Sequence, residues 1–216
     1  MRQFASTLCM VVFLQGLPAI VQAQTQPLPP TQPAAPTPPN PIEQVVAAGL
    51  MTNLPDGQFH PERFISRAEL ASILVKAFGL DKRAVANQPT SVEVKDVPST
   101  HPAFNDIQTV LKAGIMKGYR DNMFFPNQRV SRAEAFAIIA QAYGVFQFPE
   151  NTVAEILAPY PDAASLPDWA KKSWATALNS GFVNVDAQNN ISPLQPMTRG
   201  DMAYALSKYL AEQQAP

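Results

Sequence analysis

Three stretches of the chain carry apolar residues at helical spacing. Leu70, Ile73, Leu74, Ala77 and Phe78 fall at i, i+3, i+4, i+7 and i+8. The same offsets select Ala135, Ile138, Ile139, Ala142 and Tyr143, then Met202, Ala205, Leu206, Tyr209 and Leu210. This spacing predicts three amphipathic helices, each with one broad apolar face. Shorter faces precede them: Ile107, Val110 and Leu111, then Trp174, Ala177 and Leu178, with Pro102 and Pro167 placed for a first helical turn. The first of these short helices spans only Ile42 to Ala48, roughly two turns. Three helices with one apolar face apiece are most simply buried against one another. The pattern therefore reads as an all-α chain of helix–loop–helix units around a central three-helix bundle.

The units are copies. Ser66-Arg67-Ala68-Glu69 returns as Ser131-Arg132-Ala133-Glu134 and, altered, as Thr198-Arg199-Gly200-Asp201, the arginines lying 65 and then 67 residues apart. Upstream of each arginine, without a gap, stand a glycine (Gly49, Gly114, Gly181), a large apolar residue (Phe59, Phe124, Ile191) and a proline (Pro61, Pro126, Pro193). A further apolar residue (Ile65, Val130, Met197) sits two before the arginine. The glycines are placed as helix C-caps, and Asp56-Gly57, Asp121-Asn122 and Gln188-Asn189 suit tight turns. Ser or Thr at N-cap with Glu69, Glu134 or Asp201 three residues into the helix is a capping box, each side chain satisfying a backbone N–H at the other position. A repeat of this length means three supersecondary units.

The box accounts for Ser66, Ser131, Thr198 and the acids, not for the arginines. At N1 a cation faces the positive end of its own helix. Two readings stand side by side for Arg67, Arg132 and Arg199. One is a solvated arginine or a salt bridge to a neighbouring repeat. The other is an anion site in which free helix N–H groups and a guanidinium fork converge on a carboxylate.

Composition divides the chain along its length. Of 22 prolines, eight fall between Pro27 and Pro41. Residues 24–41 thus read as a Pro-rich linker biased toward polyproline II. Residues 1–23, with Arg2, an apolar run from Leu8 to Leu14 and Val21-Gln22-Ala23, read as a secretory signal whose run is too short to span a bilayer. The one cysteine, Cys9, lies inside it, so cleavage after Ala23 would leave a mature chain without thiol or disulfide. Net charge is −1, which disfavours nucleic acid but not a single acidic ligand. No cofactor is expected. His60 and His101 lack metal-ligand spacing, there is no Gly-x-Ser-x-Gly elbow, and no carboxylate pair stands out as a glycosidase dyad. The expected product is not an enzyme.

The repeated positions resemble the S-layer homology family, most closely over Gly114-Ile115-Met116-Lys117-Gly118-Tyr119-Arg120-Asp121, Phe124, Pro126 and Ser131-Arg132-Ala133-Glu134. Asp56-Gly57-Gln58-Phe59-His60-Pro61 with Ser66-Arg67-Ala68-Glu69 matches as well, and the resemblance runs from about 42 to 210. It implies a pseudo-threefold α-helical domain with repeats at 42–95, 96–159 and 160–210, followed by a tail at 211–216. It also implies grooves at the helix starts that bind, without covalent chemistry, an anionic and often pyruvylated polysaccharide linked to peptidoglycan, contacted by Arg67, Arg132 and Arg199, with the hydroxyls of Ser66, Ser131 and Thr198 as further ligand-binding groups. The implied location is the cell wall or envelope of an exported protein; the competing expectation is an envelope protein–protein scaffold with degenerate grooves. Repeat three departs at Gly200, at Asp201 and in the loop 184–193, and repeat one is cut short in front, so unequal grooves are expected. Trp174 aligns with Ile42 and Ile107 and reads as core. Trp169 has no counterpart and is a candidate for stacking on a sugar, with Asp162 accepting hydroxyl hydrogen bonds. Tyr119-Arg120 reads equally as groove lining and as a solvated turn.

Overall fold

The structure, a computed structural model, describes residues 40–83 and 91–214. The expected signal segment, Cys9 and the linker before Asn40 lie outside these residues. Among them are seven α-helices and no strand: α1 Pro41–Ala47, α2 Arg67–Phe78, α3 Phe104–Lys112, α4 Arg132–Tyr143, α5 Glu150–Leu157, α6 Lys171–Asn179 and α7 Arg199–Gln214. Helix α1 starts where the Asn40 side chain caps Ile42 N–H, with Pro41 in the first turn. The other two prolines stand earlier than expected. Pro102 lies in the turn before α3, and Pro167 precedes a short 3₁₀ turn at Asp168–Ala170 that leads into α6. The stretch expected as a tail from residue 211 continues α7 to Gln214. Helix α5 follows Pro149 and buries Val153 and Leu157 against α6; its short apolar period escaped the sequence reading.

Each unit's first helix packs on the second helix of a neighbour: α3 on α2, α6 on α4, and α1 on α7, which closes the series. The far ends of the second helices also meet, since Tyr209 of α7 lies 4.8 Å from Phe78 of α2 and 6.3 Å from Tyr143 of α4, ring to ring. At the near end the closure is in the backbone. Ile65 N–H donates to Met197 O (3.0 Å), Met197 N–H to Val130 O (2.8 Å) and Val130 N–H to Ile65 O (3.3 Å). These are the apolar residues two before each arginine, all but fully buried. Trp174 is core as expected, with no exposed surface. Its indole N–H donates to Ala133 O and its ring stands edge-on to Phe136.

The loops repeat to the level of single bonds. Gly49, Gly114 and Gly181 all take φ +68°, a left-handed cap that side chains resist. Leu54, Tyr119 and Asp186 each donate a backbone N–H to the carbonyl four residues on. His60, Phe125 and Ser192, again equivalent, all adopt positive φ, a conformation that persists in non-glycine residues only when the surroundings enforce it. In repeats two and three the enforcement is a carboxylate. Asp96 accepts from the N–H groups of Phe124 and Phe125, and Asp162 from those of Ile191 and Ser192. In repeat one the His60 ring is held by Asp56 (2.5 Å) and Glu62 (3.1 Å). Those two acids, Asp56 foremost, raise the imidazole above its usual 6.5.

Candidate functional site

The three arginines are buried, 2–5% exposed, and each crosses to the next repeat. Arg67 donates through Nε to Phe124 O, through one terminal nitrogen to Lys117 O, and through the other to Glu134 (2.5 Å) and, at 3.5 Å, to the Tyr119 hydroxyl. Arg132 repeats the set on Ile191 O, Asn184 O and Asp201 (2.8 Å), adding the Asn184 side-chain oxygen. Arg199 closes it on Phe59 O, Thr52 O and Glu69 of repeat one. Aromatic faces complete the seats: Phe124 and Tyr119 beside Arg67, Phe59 beside Arg199. Repeat three has Ile191 where the others have phenylalanine, and Arg132 lies instead over Phe136 of its own helix.

The first two amides of each helix are not free either. Those of Arg67 and Ala68 donate to Gln128 O and Pro126 O, those of Arg132 and Ala133 to Gln195 O and Pro193 O, and those of Arg199 and Gly200 to Arg63 O and Pro61 O. The third amide goes to the cap: Ser66 to Glu69 N–H, Ser131 to Glu134 N–H, Thr198 to Asp201 N–H. The free amides and free guanidinium fork of the anion reading are therefore replaced by bonds between repeats. The acidic half of the box differs too. Glu134 turns to Arg67 of another repeat, Glu69 to Arg199 of another repeat and to Arg63 of its own (2.6 Å), and Asp201 is the residue seen to return to its cap's N–H, at Thr198 (3.0 Å). The shorter side chain completes the box while still reaching Arg132. Burial pushes the Asp201 carboxyl up, but Arg132, the Thr198 N–H and the Asn184 amide together hold it below 3.8.

Three cavities open on this ring of ion pairs. The largest, about 650 Å³, runs along α4 and is lined by Arg67, Ser131, Glu134, Ala137, Ile138 and Gln141, by the loop 114–119, and by Trp169 and Ser173. Trp169 is 65% exposed there and Tyr119 42%. The equivalent groove on α2 has the same register, with Leu50, Met51, Thr52, Glu69, Ser72, Ile73, Lys76 and Arg199, but only about 150 Å³. The cavity at Arg132, about 440 Å³, opens between Asn184–Asp186, Thr198, Asp201, Phe64 and Pro196. It lies toward the helix starts, and no residue of α7 beyond Asp201 lines it. Trp169, Arg67 and Ser131 thus share one groove. Asp162 does not join them; its two oxygens clasp the loop of repeat three and it borders a separate hollow. Ser66 lines none of the three cavities. Gln141, Lys117 and Ser173 were not singled out in the sequence, because each is an ordinary polar residue on a helix or loop and only the packing turns them to one groove. No group of three His, Asp or Glu suited to a metal occurs among the described residues.

The S-layer homology domain model matches residues 34–71, 95–136 and 159–203, one match for each helix start. The chain belongs to the S-layer homology family. S-layer homology domains anchor proteins at the cell surface and bind cell-wall polymers. Similar proteins include the surface-layer 125 kDa protein of Lysinibacillus sphaericus, 28% identical over 170 residues, 77% of this chain and 13% of that protein. The cellulosome-anchoring protein of Acetivibrio thermocellus is 28% identical over 76% of this chain and 36% of its own length. The S-layer protein EA1 of Bacillus anthracis is 27% identical over 75% of this chain and 18% of its own length. The chain therefore spans only a minor part of these relatives. What it shares with them is the S-layer homology region.

Proposed function

We propose that this chain is an exported, non-catalytic module that fixes itself in the cell envelope by holding an anionic, peptidoglycan-linked polysaccharide in the α4 groove, on a pseudo-threefold body. The observation that carries the reading is the groove itself. An exposed indole, an exposed phenol, the amide of Gln141 and the hydroxyls of Ser131 and Ser173 line one trough of ligand-site size. Flat aromatic faces suit the apolar faces of sugar rings, while amides and hydroxyls pair with sugar hydroxyls. Lys117 supplies a cation for a carboxylate on the polymer, such as a pyruvate ketal. Arg67 forms the floor and holds the walls together; its charge is already matched by Glu134. Arg132, with Thr198 beside it, and Arg199 form the corresponding floors of the two other cavities, their charges matched by Asp201 and Glu69. The N-terminal signal pattern supports export.

Sedimentation of the chain with purified wall sacculi tests this, since Trp169→Ala and Tyr119→Ala should each release protein to the supernatant while circular dichroism stays unchanged. Mild acid removal of ketal-linked pyruvate from the wall, with the rest of the polymer verified intact, should weaken binding as well. The rival reading, a protein scaffold, draws on the full internal pairing of the arginines. It would be favoured by a chain that ignores sacculi yet crosslinks to one envelope protein.

A further inference from the structure

The α2 and α4 grooves are built on the same register, yet one is about 650 Å³ and the other about 150 Å³. Their linings differ at several aligned positions, and one pair bridges the α2 groove. On the α2 side Ser72 Oγ donates to Asp106 Oδ2 at 2.5 Å, tying α2 to α3 across the groove. On the α4 side the same two positions are Ala137 and Ser173, both lining the open trough. The α2 side also lacks both aromatics of the α4 groove, since Pro102 holds the position of Trp169 and Leu54 that of Tyr119.

We infer that the Ser72–Asp106 hydrogen bond is a built-in closure of the α2 groove, so that of these two matched grooves only the α4 one takes polymer. The bridge narrows the trough by holding α2 against α3. In the open groove the corresponding Ser173 is neutral and able to donate to a sugar hydroxyl. Lys76, in the place of Gln141, adds a cation to the α2 groove; attraction from this one lysine does not restore the lost space. The inference rests on the wall-binding reading and adds to it a count: one glycan segment held between these two grooves.

The test exchanges the pairs. The probe is size-fractionated polysaccharide released from purified wall sacculi, with binding followed by calorimetry and by native mass spectrometry of the full chain. Between these two grooves the wild type should bind one chain segment, the one that Trp169→Ala removes. Ser72→Ala with Asp106→Ser, combined with Leu54→Tyr and Pro102→Trp so that the opened groove carries the same aromatics as the α4 groove, should raise the count to two. The reverse exchange, Ala137→Ser with Ser173→Asp, should weaken binding by roughly tenfold or more, as like charge and lost volume both act against the ligand. Thermal melts of both variants check that the fold is kept. If the opened variant still binds one segment, or the wild type already binds two across these grooves with Trp169→Ala removing only one, the closure is wrong while wall binding stands. If the wild type does not bind and Trp169→Ala changes nothing, both fall.

Discussion

An arginine buried in contact with a carboxylate of another repeat is a joint, and its removal is felt differently from the loss of a surface charge. Arg67→Ala would leave Glu134, Lys117 O and Phe124 O without the donor that joins them. Truncating one member of such a pair costs about 3 kcal/mol or more, so urea unfolding of Arg67→Ala should show a markedly lower midpoint. Arg67→Lys should recover little, because one ammonium cannot reproduce a fork that meets three acceptors. Arg67→Ala is thus a poor probe of wall binding and a good probe of assembly. Asp201 makes a pH-dependent contribution. Its folded pKa is held below the usual 3.8, so the stability it supplies is present above that value and fades as pH falls through the lower, folded one. Asp201→Asn should therefore flatten the acid limb of the stability profile below about pH 4, measured by denaturant unfolding at stepped pH.

At the scale of the element, helix α7 departs from its sisters at its second residue. Gly200 stands where α2 has Ala68 and α4 has Ala133. A Cβ there would meet Pro61 O at 3.1 Å and Pro61 Cβ at 3.2 Å. Yet Ala68 and Ala133 keep the equivalent N–H to proline carbonyl bond, so the seat admits alanine with a small shift. The helix gains up to ~1 kcal/mol from the exchange. Gly200→Ala should come out stabilising by roughly half of that, read as a rise in the thermal midpoint. The second helices were legible because their apolar spacing and caps are local. The positions of Ile65, Val130 and Met197 were legible as repeats, but their bonding to one another was not, since each partner lies in another unit. The same holds for the arginines. Nothing near Arg67 in sequence shows that Glu134 is its mate, and the acid two residues on, Glu69, looked like its own helix's cap. Trp174 was legible as core because two aligned isoleucines occupy its place; Asp162 looked like a ligand because its clasped amides are nearly thirty residues away.

For the whole molecule, the decisive fact is that no repeat is self-contained. Each first helix lies on another unit's second helix, each arginine is seated in another unit's loop, and the last unit returns to the first through α1 on α7 and Arg199 on Glu69. Removing residues 199–214 should therefore not leave two folded repeats. It strips the partner of α1 and the Met197 neighbourhood together, and circular dichroism of the truncated chain should show loss of helix well beyond the sixteen residues of α7. The intact chain should unfold in one transition by both near- and far-ultraviolet signals. The ring of three hydrogen bonds through Ile65, Val130 and Met197 also bears on how such a body carries load. A tether pulled along its leading helix draws on α1 against α7, and the strain passes into a cycle in which each link is backed by the path through the other two. A hook built this way has no first link to peel. Under steady tension in a single-molecule trap it should hold and then let go in one step, rather than shedding its repeats one by one.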